Sequence, residues 1–234
     1  MVTGGADRDS GRGVITPDGC AVEVYLRLPP NGEPEIVNGV IPAGATILEL
    51  GCGTGRLSNP LAEFGHRVVG VDESPAMLAH LRQVEPVPAR IEDLRLDRRF
   101  DVVLLASHLV NTPTDEQLRR FLVTCRHHLA PGGQLIAQWH PPRWFDALQV
   151  GAFREGDLGP VFGRLDVLDI AGDLLSGETS YRSGDDVWVQ RFTARRLTEQ
   201  RLTEELRRAG LGAPRWLDDA HHWFSARLAD DPDR

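Results

Sequence analysis

The sequence predicts an α/β protein built on one mostly parallel sheet. Three observations carry this. Short apolar runs alternate with helical patterns along residues 46–140, the order that makes βαβ units. The runs are apolar almost throughout, as strands buried on both faces are. The first of them leads into Gly51-Cys52-Gly53-Thr54-Gly55. Glycine gives up backbone order, so this clustering needs a tight turn or a close approach to justify it.

The elements follow in order. Residues 1–13 hold Gly, Asp, Arg and Ser with little to bury and are expected to be disordered, as is the tail "ADDPDR". Residues 14–43 form a cap segment before the first strand. "TILEL" (46–50) is a buried strand. Residues 55–65 have helical spacing and end at Gly65, a helix-stopping residue. "HRVVGVD" (66–72) is the second strand, and 74–83 is a helix opened by Ser74 and Pro75. "ARI" (89–91) is a short third strand and "FDVVLLAS" (100–107) a strongly apolar fourth. Residues 114–129 form an amphipathic helix, with Asp115 and Glu116 in its first turn and His127 and His128 near its end, as the helix dipole favours. "PGG" (131–133) is a turn and "QLIAQWH" (134–140) the fifth strand.

After His140 the rhythm changes. A long connection carrying Trp144 and Phe145 precedes extended runs around 164–171, 174–182 and 186–193. In the last, Trp188, Gln190 and Phe192 share one face. These runs predict an antiparallel β-cap inserted over about 141–195. Residues 198–210 return to helix, read as a solvated Arg/Glu face, and 213–217 and 222–229 are two closing strands. One domain over 14–230 results.

The bulk numbers agree. A chain of 234 residues supports one good-sized core. Hydrophobic residues at 41% and charged residues at 26% are an ordinary globular balance. A formal charge of -8 offers phosphate backbones and anionic lipid no general attraction, so neither nucleic acid nor membrane is an expected partner. Cys20, Cys52 and Cys125 are far apart, without a C-x-x-C pair, which fits a reducing cytoplasm. The N-terminus lacks an apolar signal core, and no run approaches the roughly 20 apolar residues of a membrane span. The pairs His127–His128 and His221–His222 suggest a metal, but sequence neighbours on a helix do not face one site, and no metal is expected.

A strand, a glycine turn and a helix set bare backbone and N–H groups at the carboxyl edge of the sheet, where α/β folds bind ligands. Glu49 precedes the turn, giving E-x-G-x-G-x-G, and Asp72 ends the second strand, where an acid can accept from a ribose diol. The dinucleotide fingerprint G-x-G-x-x-G is one residue longer, which disfavours an NAD-dependent dehydrogenase. The turn instead resembles the first motif of the class I S-adenosylmethionine-dependent methyltransferases. "VDES" (71–74) resembles their ribose-binding acid and "IEDL" (91–94) their adenine segment. "FDVVLLASHLVN" (100–111) resembles the fourth strand and its methyl-side loop, and "HHLAPGGQLIAQ" (127–138) the step into the fifth strand. The resemblance covers roughly 45–230.

It implies a Rossmann-like class I methyltransferase fold: a seven-stranded, mostly parallel sheet with the last strand antiparallel and a β-cap after the fifth strand. It implies S-adenosyl-L-methionine as cofactor and S-adenosyl-L-homocysteine as product. The backbone at Gly51, Cys52, Gly53 and Gly55 meets the amino-acid part of the ligand. Glu49 anchors the loop or the ligand's ammonium, Asp72 and its neighbour Glu73 hold the ribose, and Met77 packs near adenine. Ala106 and Ser107 border the cofactor at the end of the fourth strand. Tyr25 closes over it from the N-terminal segment, with Arg27 a weaker candidate. Family members often carry Asp where this chain has Arg90, so Glu92, Asp93 or backbone alone is left to hold the adenine.

Methyl transfer is an in-line displacement in which the protein aligns, desolvates and deprotonates. His108, following the fourth strand at the reaction edge, is the candidate base. His140 ends the fifth strand, and Asn111 is placed to orient an acceptor. Trp139, Trp144, Tyr181 and Trp188 are candidate walls of the substrate pocket. The expected function is methylation of N or O on a small-molecule metabolite by a cytoplasmic monomer or homodimer. The alternatives are a cofactor-binding relative with a non-methylating reaction and a non-catalytic binding subunit.

Overall fold

The computed structural model describes residues 13–17 and 19–229; the disorder expected for residues 1–12 and 230–234 lies outside the described residues. The N-terminal segment forms two short helices, α1 (Val22–Arg27) and α2 (Glu33–Asn38). Strand β1 (Thr46–Leu50) then opens the sheet. Helix α3 begins only at Ser58 and runs to Glu63, because Gly55 at φ +85° cannot join a right-handed helix. Strand β2 (Arg67–Asp72) precedes α4, which spans Pro75–Leu78 rather than running to residue 83. The Asn59 side chain explains the early stop. Its amide donates to the His80 carbonyl at 3.4 Å and accepts from Arg82 N–H at 2.7 Å, drawing both groups off the helix path.

The third strand corrects the expectation. β3 is Glu85–Pro88, and residues 91–93 form a 3-10 turn. Two prolines disguise β3 in the sequence, yet an edge strand tolerates them. Strand β4 (Phe100–Leu105) leads through a second 3-10 turn at Leu109–Asn111 to α5 (Asp115–His128), capped by the Thr114 hydroxyl. Strand β5 (Leu129–Gln138) absorbs the "PGG" expected to be a free turn. Its pairing with β4 jumps from Phe100↔Leu129 to Val102↔Gln134, so these residues form a bulge. A Cβ on Gly133 would stand 2.9 Å from the Phe100 carbonyl, which leaves room only for glycine.

Helix α6 (Pro142–Asp146) leads into a four-stranded antiparallel cap: β6 (Phe153–Leu158), β7 (Val161–Ala171), β8 (Leu174–Ser183) and β9 (Asp186–Arg195). The cap has one strand more than the three expected runs, because β6 is a polar, fully exposed edge with no apolar alternation. Helix α7 (Glu199–Arg208), β10 (Arg215–Trp216) and β11 (Trp223–Arg227) close the chain.

The main sheet has the order β10-β11-β5-β4-β1-β2-β3. Strands β3, β2, β1, β4 and β5 are parallel and β11 is antiparallel to β5, as the resemblance implies. Alternate strand residues feed two cores. Leu48, Leu50, Val103, Leu105 and Leu135 pack with α5 and α7; Ile47, Val68, Val102, Leu104 and Ile136 pack with Leu57 and Leu61 on the opposite face. Helix α7 is not the plain solvated face expected. Glu205 is fully buried in it and bonds Arg119 at 2.8 Å and Arg208 at 2.7 Å.

Candidate functional site

The glycine turn is closed against the end of β2. Gly51 and Cys52 donate their N–H groups to the Val71 carbonyl at 2.8 and 2.9 Å. Asp72 accepts from Gly53 N–H and Ser74 N–H, both at 2.9 Å, one on each carboxylate oxygen. A carboxylate oxygen can accept more than one hydrogen bond, which is the chemistry a ribose hydroxyl uses. Gly51, Gly53 and Gly55 all have positive φ, at 70°, 54° and 85°. A Cβ on Gly51 would press on Leu109 at 2.8 Å, whereas a Cβ on Gly53 would find nothing nearer than the Tyr25 ring at 4.0 Å. The bare backbone at Gly53 therefore faces open room roofed by Tyr25. Opposite the buried Cys52, Gly70 leaves the space that its Sγ fills, since a Cβ there would sit at 2.8 Å. The sequence reading missed Gly70, which looks like an ordinary strand residue.

Glu49 lies beneath the turn, 3% exposed, and accepts from the Ser58 hydroxyl. Burial pushes its carboxyl up to about 7, against the opposing pull of Ser58 and Arg56. The contact it makes is to the first residue of α3. Tyr25 is tied to the same turn by its carbonyl, which accepts from the Thr54 hydroxyl at 3.1 Å. Arg56 and the buried Glu33 form a 2.5 Å ion pair that fastens the turn to α2. Arg27 turns away from the turn, pairing with Glu23 and lying over the Trp188 ring.

At the adenine edge, Glu92 and Asp93 are both drawn to Arg90, at 3.4 and 3.8 Å. Asp93 also pairs with Arg120 at 3.2 Å, and the two acids line a cleft with Arg95, Arg119 and Arg120 on the α5 side. The residue of this segment beside the turn is Ile91, whose Cδ1 lies 3.7 Å from the position of a Gly51 Cβ. An apolar wall and backbone are thus what the segment offers an adenine. Met77 is buried with Cys20 and Val22 below Tyr25, and Glu73 is exposed beside Asp72.

The reaction edge follows β4. Ala106 is buried, while Ser107 and His108 both adopt left-handed backbone, at φ 53° and 60°. Such strain in non-glycine residues collects at functional sites. Gln138 holds the bend by accepting from Ser107 N–H at 3.0 Å. The His108 ring stacks on His140 at 3.5 Å, and His140 stacks on Trp144 at 3.8 Å. Burial pushes His108 down to about 4 and His140 to about 2, so both rings are neutral near pH 7. Buried His108 Nδ1 has no hydrogen-bond partner among the described residues. His222 is a residue the sequence reading set aside. Its positive form disfavours protonation of both rings, and it pairs with Asp218 at 3.6 Å. Only the pairing of β11 with β5 brings it to this edge, with its carbonyl accepting from Trp139 N–H at 3.0 Å.

Several expected site residues are placed differently. The Asn111 amide is spent on backbone: it accepts from His140 N–H at 2.7 Å and donates to the His140 and Arg195 carbonyls. It fixes His140 rather than reaching an acceptor. Trp139 is fully buried in the core that packs with α5 and α7, stacked on Trp216 and donating to the His221 carbonyl at 2.6 Å. Its neighbour His140 instead stacks on His108 and Trp144, so the two residues have different surroundings. Trp188 is 1% exposed and packs on Ala21 and Val24 of the N-terminal segment, with Tyr181 beside it. Both are contacts between the cap and that segment. Among the described residues no His, Cys, Asp and Glu cluster could hold a metal, and no helix is long and apolar enough to cross a membrane.

Known proteins share this arrangement. Residues 47–133 match a family described as a methyltransferase domain. The cypemycin N-terminal methyltransferase of a Streptomyces species is 38% identical over 109 residues, 44% of each chain. An uncharacterised methyltransferase of Mycobacterium tuberculosis is 35% identical over 62% of this chain and 58% of its own length. This chain thus spans about half the length of the curated relatives it matches. Among solved structures, the CcbJ methyltransferase from Streptomyces caelestis superposes with a TM-score of 0.71 at 25% identity, covering 86% of this chain and 91% of that one. The sugar N-methyltransferase KedS8 from a Streptoalloteichus species shares the fold, with a TM-score of 0.68 at 21% identity, covering 98% of this chain and 100% of that one. These matches show a methyltransferase domain over residues 47–133, in a fold similar to that of solved S-adenosylmethionine-dependent methyltransferases.

Proposed function

We propose that the chain transfers a methyl group from S-adenosylmethionine to a nitrogen or oxygen of a small-molecule metabolite. The observation that carries this is the bare backbone at Gly53, bonded to Asp72 and facing the Tyr25 ring, at the same carboxyl edge of the sheet as the His108–His140–Trp144 stack. These residues fit an adenosyl amino acid: glycine backbone open to close approach for its amino-acid end, a carboxylate for its ribose, and Ile91 for its base. When bound, the ligand supplies an activated methyl on a sulfonium. The chain's task is then to hold, dry and orient.

Asp72 fixes the ribose, and Tyr25 keeps water from the turn. The aromatic stack gives the acceptor a flat wall and favours a nearby cation. Burial weakens His108 as a base, so it orients the nucleophile through its unpaired Nδ1 rather than storing a proton. Asn111 positions His140 for the same wall. The cap supports a compact acceptor, and the names of the N- and O-methyltransferases among the relatives support both atom types.

The test is product analysis by mass spectrometry with panels of small amines and hydroxy compounds. One acceptor is expected to gain a single CH2 with matching S-adenosylhomocysteine. His108→Ala is expected to lower kcat about tenfold or more. Cofactor that binds yet is never consumed with any acceptor would contradict methyl transfer.

A further inference from the structure

The inner face of β9 touches both halves of the site. Trp188 packs on α1, Phe192 packs against Phe145 and Leu148 next to Trp144, and Gln190 lies between them on the same face. From Gln190 an unbroken chain of contacts runs to the glycine turn. Gln190 Nε2 donates to Cys20 Sγ at 2.9 Å. Cys20 Sγ donates to the Tyr25 hydroxyl at 3.3 Å. The Tyr25 carbonyl accepts from Thr54 in the turn at 3.1 Å, and its ring roofs Gly53. A further tie from β9 is the Arg195 carbonyl, which accepts from Asn111, the residue that also fixes His140.

We infer that Gln190 is a positioning residue that latches the N-terminal segment to the cap through Cys20, so that Tyr25 is held over the glycine turn and cofactor binding is coupled to the state of the acceptor wall. The inference rests on the proposed methyl transfer for its ligand but not for its geometry. The chemistry suits a latch. A thiol is a weak acceptor and donor, so the link is made and broken at small cost, unlike the Arg56–Glu33 ion pair that fastens α2 permanently nearby. The apolar contact of Trp188 on Ala21 and Val24 keeps the segment near the cap while the latch is open. An acceptor that presses on Trp144 and Phe192 bears on β9 two residues from Gln190, and the latch passes that pressure to Tyr25. By reciprocity, a closed Tyr25 favours the acceptor as much as a bound acceptor favours closure.

Two measurements test this on the full chain. Hydrogen exchange without any ligand should show faster exchange at residues 22–27 in Gln190→Leu, with the amides of β7 and β8 unchanged. Calorimetry should show S-adenosylhomocysteine binding about five- to tenfold weaker in Gln190→Leu, at an unchanged melting temperature. Cys20→Ala should produce the same loss, and the double variant should lose no more than either single one, because both cut one link. Unchanged exchange at 22–27 overturns the latch, as does a double variant whose losses add. If the wild-type chain binds no S-adenosylhomocysteine, the proposed function falls, while the exchange result still decides the latch.

Discussion

His108 and His140 bind protons more readily in the unfolded chain, because burial lowers the folded values to about 4 and about 2 from 6.5. Stability is therefore lost as pH falls below about 6.5, by at most about 1.4 kcal/mol per pH unit per ring, a ceiling because the rings are partly open to water. Glu49 works in the opposite sense. Its folded value of about 7 lies above 4.5, so its contribution is present at low pH and fades as pH rises through that window. Two rings outweigh one carboxyl. The melting temperature is expected to drop between pH 6.5 and 4.5, and His140→Phe is expected to flatten that drop. Identical profiles for the two proteins would show that the buried ring is not the source. The spacing of glycines and the acid at residue 72 were legible at this scale, because turn chemistry is local. The spent amide of Asn111 and the inward face of Trp139 were not, because both depend on where β11 and β9 arrive.

Among the elements, α7 shows how far a charge pattern misleads. Its Arg/Glu composition reads as a solvated face, yet Glu205 is fully buried, and its carboxylate takes Arg119, Arg201 and Arg208. The bond from Arg119 holds the Glu205 carboxyl below the usual range. Those arginines keep contact with water, so cutting the pair costs less than in a fully dry site. Glu205→Gln is expected to destabilise the protein by about 2 kcal/mol in urea unfolding at neutral pH. A loss near zero would mean that the guanidinium groups find water as good a partner. Helix periodicity gave the position of α7 and α5 correctly, since Leu202 and Leu206 face the core. It could not show that a carboxylate sits between them. Strand β3 was misplaced for a related reason: the prolines at 86 and 88 forbid a central strand, and only the edge position beside β2 makes them acceptable.

At the scale of the whole molecule, strand order decides where chemistry happens. The carboxyl ends of β1, β2 and β4 bring together the glycine turn, Asp72 and His108, which are far apart in sequence. The cap touches the N-terminal segment through Trp188 and the segment carrying Trp144 and Phe145 through Phe192. The alternation of strands and helices made the sheet legible, because a parallel sheet must be wound that way. The cap's docking was not legible, since it depends on contacts between residues near 20 and near 190. The central claim is that the turn and Asp72 hold an adenosyl ligand. Calorimetry of S-adenosylhomocysteine with the wild-type chain and with a folded Asp72→Ala variant tests it most directly. The account predicts micromolar binding that weakens about tenfold or more in the variant. Equal affinity in the two proteins, or no binding to the wild type, would contradict it.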